Sequence, residues 1–183
     1  MKAFGLWGLL FLLAPLPLAA QINPNVATPD AAALGFLSVY GSFHPSDGIP
    51  DMGARARLQP YLSPTLNKLL ADAAAAQARF SAKIKDSPPL IEGDIFSSLF
   101  EGPTAWKVGA CQGDTKTARC TVSLSYAPPA GSRAKPANWA DTFLLVNTPQ
   151  GWKVDDVVYD AAFAFGNTGQ LSGMLAMVIA SNP

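Results

Sequence analysis

The chain has 183 residues with 13 Lys+Arg against 13 Asp+Glu, and only 14% of its residues are charged, where about a quarter is usual. A balanced charge argues against a nucleic-acid partner, which requires a basic face, and gives no sign of an electrostatic attachment to a membrane surface. Solubility must then rest on neutral polar residues, and the length suits one domain with a single core.

Residues 1–20 carry one Lys at position 2, an apolar run from Phe4 to Leu13, and Leu18, Ala19 and Ala20 before Gln21. This is the pattern of a secretory signal peptide, with cleavage expected near Ala20. A membrane anchor is the alternative, but the run is short for a span and is broken by Pro15 and Pro17, and a span needs about 20 apolar residues. No cysteine near the expected cleavage site offers a lipid anchor. The expected product is residues 21–183, a single periplasmic or secreted domain without a stable membrane anchor. It retains 12 Lys+Arg against 13 Asp+Glu, a formal charge of −1.

After a polar lead-in, Thr28, Pro29 and Asp30 give a helix start: a hydroxyl for an orphan amide, proline at the first helical position, and a carboxylate in the positive first turn. The helix should reach about Phe43. Leu34, Leu37, Tyr40 and Gly41 share one face and Phe36, Val39 and Phe43 another, so burial on more than one side is expected. Loop chemistry follows over residues 44–50, then a short helix over residues 55–61. Ser63 and Pro64 repeat the cap-then-proline signature for the longest helix, with Leu66, Leu69, Leu70, Ala73, Gln77, Phe80 and Ile84 at helical spacing.

Pro88 and Pro89 end that region, and residues 90–102 form a compact apolar and acidic segment whose backbone the sequence does not assign. Residues 106–110 and 121–126 alternate as an antiparallel hairpin. Cys111 and Cys120 flank its turn-rich connection, and in an exported chain they read as a disulfide clamping the hairpin. Pairing the cysteines places Gly109 opposite Val122, whereas matching apolar faces places Val108 opposite Val122. The registers differ by one residue, and a bulge near Gly109 would reconcile them. A proline-rich connection over residues 127–137 leads to a closing hairpin, with Thr148, Pro149, Gln150 and Gly151 as its turn. In its last strand Trp152, Val154, Asp156 and Val158 should point one way and Lys153, Asp155, Val157 and Tyr159 the other. Asn167 should cap a short C-terminal helix carrying Leu171, Met174, Leu175 and Val178, with Gln170 reaching back. Helices first and an antiparallel sheet afterwards is the order of an α+β domain.

With Tyr61-Leu62-Ser63-Pro64, Gly93-Asp94-Ile95-Phe96 and Gly151-Trp152-Lys153-Val154-Asp155-Asp156-Val157 in this order, the stretch over residues 31–160 resembles a family of exported bacterial proteins of unknown function. The resemblance implies the cone-shaped fold of nuclear transport factor 2 and scytalone dehydratase, with N-terminal helices packed on a curved antiparallel sheet. It supplies no established catalytic residues. Enzymes of that fold often carry carboxylates and tyrosines at the cone mouth, which here nominates Tyr40, Asp94, Asp141 and Tyr159. A buried Asp among them would have a raised pKa suited to proton transfer. The plainer alternative places Asp94 in a turn after Gly93 and makes Asp155 and Asp156 a solvated stretch paired with Lys153.

His44, the only histidine, is a candidate general acid or base at the end of the first helix, or simply a favourable charge there. A lone histidine excludes a histidine-rich metal site. No serine lies in a GxSxG elbow, and no phosphate loop or cofactor motif is present. Trp106, Trp139 and Trp152 read as core or sheet aromatics rather than a sugar platform. The expected function is a non-enzymatic exported binding domain, engaging a protein or small apolar ligand at the sheet or cone mouth; an inhibitor or immunity-type protein is one form of it. The enzymatic alternative is a lyase or isomerase using an Asp/Tyr pair. A continuous pocket beside Tyr40 would favour the enzyme, whereas an interior filled by Phe36, Phe80, Phe96 and Phe143 would oppose it.

Overall fold

The computed structural model describes residues 28–42 and 48–181. The expected signal peptide, the lead-in and His44 lie outside the described residues. Helix α1, Pro29–Tyr40, starts as expected at Pro29 with Thr28 extended, but the Thr28 side chain caps nothing. It buries one stripe, Ala32, Ala33, Phe36, Leu37 and Tyr40, while Leu34 is half exposed. The helix is therefore buried along one face. It ends at Tyr40 rather than near Phe43, and Gly41 and Ser42 tighten into a turn by donating to the Leu37 and Val39 carbonyls.

Helix α2, Met52–Leu58, begins earlier than expected because Asp51 caps it, accepting from the Ala54 amide at 2.7 Å. A single 3₁₀ turn, Gln59–Tyr61, leads to helix α3, Pro64–Lys83. Ser63 Oγ accepts from the Leu66 amide at 3.0 Å, so the cap-then-proline signature does what its chemistry implies. Leu66, Leu70, Ala73 and Ala76 are buried, whereas Phe80 is only half-buried and Ile84 is exposed just past the helix end.

The sheet is an open five-stranded antiparallel meander of β1 (Ala105–Gly113), β2 (Thr117–Tyr126), β3 (Ala137–Thr148), β4 (Gly151–Tyr159) and the short β5 (Gly169–Gln170). The fold is thus α+β. Both registers foreseen for the first hairpin occur in it: Val108 pairs with Val122 and Cys111 with Cys120, with a register shift between Val108 and Cys111. The cysteines are bridged. Along β2, Ala118, Cys120, Val122 and Leu124 enter the core and Thr117, Arg119, Thr121 and Ser123 face solvent. The Thr148–Gly151 turn closes the second hairpin, with Gly151 at φ 88°, where a side chain would be strained.

A second shift falls on β4. Leu144 pairs with Asp156 and Leu145 with Val154, which leaves Asp155 as the extra residue. A bulge reverses the alternation beyond it. Trp152 and Val154, then Val157 and Tyr159, consequently join the core, correcting the expected single alternation. Nor are Asp156 and Lys153 a solvated stretch. Both are buried, Lys153 donating to the Pro60 carbonyl at 2.7 Å and Asp156 accepting from the Ser172 amide at 2.9 Å and from the Ser172 hydroxyl.

That carboxylate serves the start of helix α4, Leu171–Ala180, whose own preceding residue Gln170 makes no side-chain cap. An anion at the positive helix end replaces the expected Asn167–Gln170 capping pair. Helix α4 buries Leu171, Leu175 and Val178 and packs against α3 and β4. No helix among the described residues is long and apolar enough to cross a membrane.

Candidate functional site

Residues 93–102, the larger part of the segment 90–102 whose backbone the sequence does not assign, form an irregular loop buried from Gly93 to Leu99. Such a loop must find partners for its polar groups inside the protein. Asp94 supplies several. Its amide donates to the Phe100 carbonyl at 2.7 Å, its Oδ1 accepts from the Phe96 amide at 2.7 Å, and its Oδ2 accepts from the Tyr40 hydroxyl at the end of α1. Gly102 closes the loop with φ +74°; a Cβ there would press on the Asp94 carboxylate and lie 3.0 Å from the Tyr40 oxygen. The glycine is required twice, by conformation and by space.

Asp141, on β3, holds the other half of the loop. It accepts from the Ser98 amide at 2.8 Å and the Ser98 hydroxyl, from Trp139 Nε1 at 3.0 Å, and from the Asp160 amide at 3.1 Å. From β4 the Tyr159 hydroxyl donates to the Ile95 carbonyl at 2.6 Å. Asn167 completes the arrangement: its side-chain amide donates to the carbonyls of Asp94 at 2.6 Å and Ser97 at 2.7 Å. Every described buried side-chain nitrogen or oxygen has a hydrogen-bond partner.

Four of the nominated residues, Tyr40, Asp94, Asp141 and Tyr159, therefore converge on one loop. Burial pushes the Asp94 carboxyl up to about 7; the Tyr40 and Phe96 hydrogen bonds oppose that rise and the Asp141 charge adds to it. The Tyr40 hydroxyl is raised far above its ordinary value by burial and then by the Asp94 charge, and Tyr159 is raised by burial and then by Asp94, Asp156 and Asp141. An Asp near neutrality beside a Tyr donor has the chemistry of an acid–base pair. It lacks an approach. Asp94 and Tyr40 are each 1% exposed and Asp141 is fully buried. Phe36 meets Phe96 and Phe143 edge-on at 5.3 and 5.7 Å, and Tyr40 meets Phe96 at 6.0 Å, so rings fill the space between α1 and the sheet. Phe80 takes no part in this filling, contrary to expectation.

Ser98, Trp139 and Asn167 are the members that sequence reading missed. Asn167 had a plausible helix-capping role, and nothing local announces a partner 73 residues away. Among the described residues no cluster of His, Cys, Asp or Glu is arranged to hold a metal ion. Trp152 is buried, and Trp106 and Trp139 are half-buried.

The outer side of the same loop borders an open cleft of about 490 Å³, lined by Leu99, Phe100, Phe163 and Phe165, with Glu92 and Glu101 among its polar members. Phe165 is 88% exposed and Phe100 41%. Phe163 stands edge-on against Trp139 at 5.5 Å. Trp139 in turn donates to Asp141, so one residue links the cleft to the polar cluster beneath. Compared with protein-family models, curated proteins and solved structures, the chain matches none.

Proposed function

We propose that this chain is an exported, non-enzymatic binding domain on a nuclear transport factor 2-like cone, and that it meets a protein partner at the aromatic cleft beside residues 93–102. The observation that carries the proposal is the pairing of a sealed acid–tyrosine cluster with an exposed aromatic surface directly outside it. Groups that would perform chemistry are spent on holding the loop, whereas Phe165 leaves almost its whole ring in water. Exposed apolar surface gathered into a cleft is the mark of an interaction site.

The lyase or isomerase alternative draws support from the Tyr40–Asp94 hydrogen bond. It also needs a continuous pocket there, and the phenyl rings of Phe36, Phe96 and Phe143 occupy that place. The Cys111–Cys120 bridge supports an oxidising compartment, in keeping with the leader-like residues 1–20. An inhibitor of an exported protein is one form such a binding domain takes.

A photo-crosslinking residue placed at Phe165 in producing cells tests the proposal, with Thr121 on the solvent face of β2 as control. A discrete adduct from position 165 and none from 121 is expected. Equal labelling from both positions, or none from 165, would count against the cleft.

A further inference from the structure

Glu92 and Glu101 are exposed at the cleft, and among the described residues neither has a cationic partner. No Lys or Arg lines the cleft. Phe100, Phe163 and Phe165 line the cleft, and the face of an aromatic ring attracts a cation. Carboxylates and ring faces thus select the same sign of charge. A single ammonium group would leave most of a 490 Å³ open cleft unfilled, with Leu99 and the three phenylalanines of its lining uncovered. The occupant must therefore bring apolar side chains as well.

We infer that the cleft receives a segment of a partner protein that carries Lys or Arg together with apolar residues, the cation lying near the rings and the Glu92 and Glu101 carboxylates. This assignment rests on the reading of the chain as a binding domain and adds the chemistry of its partner. Apolar side chains cover Phe165 and Phe163, and the rim carboxylates choose among apolar segments by charge. Rim charges of this exposure contribute modestly to affinity and more to selection, and salt screens them.

Calorimetric titration of the purified protein with three blocked nonapeptides tests the inference: alternating leucine and lysine, the same peptide with glutamine for lysine, and the same with glutamate for lysine. The lysine peptide should bind about tenfold tighter than the glutamine peptide, as two exposed cation contacts allow. The glutamate peptide should show no saturable binding. The double variant Glu92→Gln, Glu101→Gln should erase the preference for lysine, and Phe165→Ala should weaken lysine and glutamine peptides alike. All three positions are exposed, so unchanged melting temperatures will show that the variants are folded. Equal binding of lysine and glutamine peptides to the unaltered protein overturns the cationic occupant while leaving a binding cleft. Binding that survives both variants, or no binding of any peptide, overturns the cleft itself.

Discussion

Asp94 shows how one side chain's environment decides its role. Burial, working against the hydrogen bonds from Tyr40 and Phe96, lets it keep its proton up to about pH 7 rather than the ordinary 3.8. A carboxyl that binds its proton more tightly in the folded state stabilises the fold fully below its unfolded pKa, and that contribution is lost as pH rises through the folded value. The melting midpoint should therefore gain a falling component between about pH 4 and pH 8 from this group. Asp94→Asn should remove that component; thermal melts of both proteins across the range measure the difference, and parallel curves would contradict it. Tyr40→Phe should cost about 1–3 kcal/mol in denaturant unfolding, because a buried acceptor loses its donor. Losing that donor also removes an interaction favouring the carboxylate, so the Asp94 resonance in carbon-detected NMR should titrate at still higher pH.

At the scale of elements, the loop over residues 93–102 is held by side chains from α1, β3, β4 and the segment before α4 rather than by its own ladder. Gly102→Ala should destabilise by more than about 1 kcal/mol, since positive φ and the adjacent carboxylate both oppose a side chain. Reducing the Cys111–Cys120 bridge should cost about 3 kcal/mol on a chain-entropy estimate for so short a loop; chemical unfolding with and without reductant measures it. The first hairpin was legible because two incompatible registers in the sequence could be reconciled only by a bulge, and the Val108–Cys111 shift is that bulge. The β4 bulge was not legible. Val154-Asp155-Asp156-Val157-Val158 reads as one alternation until Leu144 and Leu145 on β3 fix the pairing. The capping of α4 by Asp156 was hidden for the same reason, since the carboxylate comes from a neighbouring strand rather than from the residues before the helix.

Across the whole molecule, the buried interior and the exposed surface divide the chemistry between them. Tyr40, Asp94, Asp141 and Tyr159 could be nominated by a resemblance, but burial follows from packing that no local pattern around Asp94 discloses: a Gly-Asp turn reads the same on a surface or in a core. The cleft was likewise unread, because Phe100 and Phe163 come to line one cleft only in the folded chain, with residues 99–101 and 163–166 far apart in sequence. The most direct test follows the backbone amide signals of the isotope-labelled protein by two-dimensional NMR while the leucine–lysine peptide, and separately a mixture of small metabolites, is added. The expected result is that the peptide shifts signals of residues 92, 99–101 and 163–166 and leaves Phe36, Tyr40, Asp94 and Phe143 in place. A small molecule that shifts Tyr40, Asp94 and Phe36 while the cleft stays silent would show an interior that opens to substrate, and would contradict the reading of this chain as a binding domain.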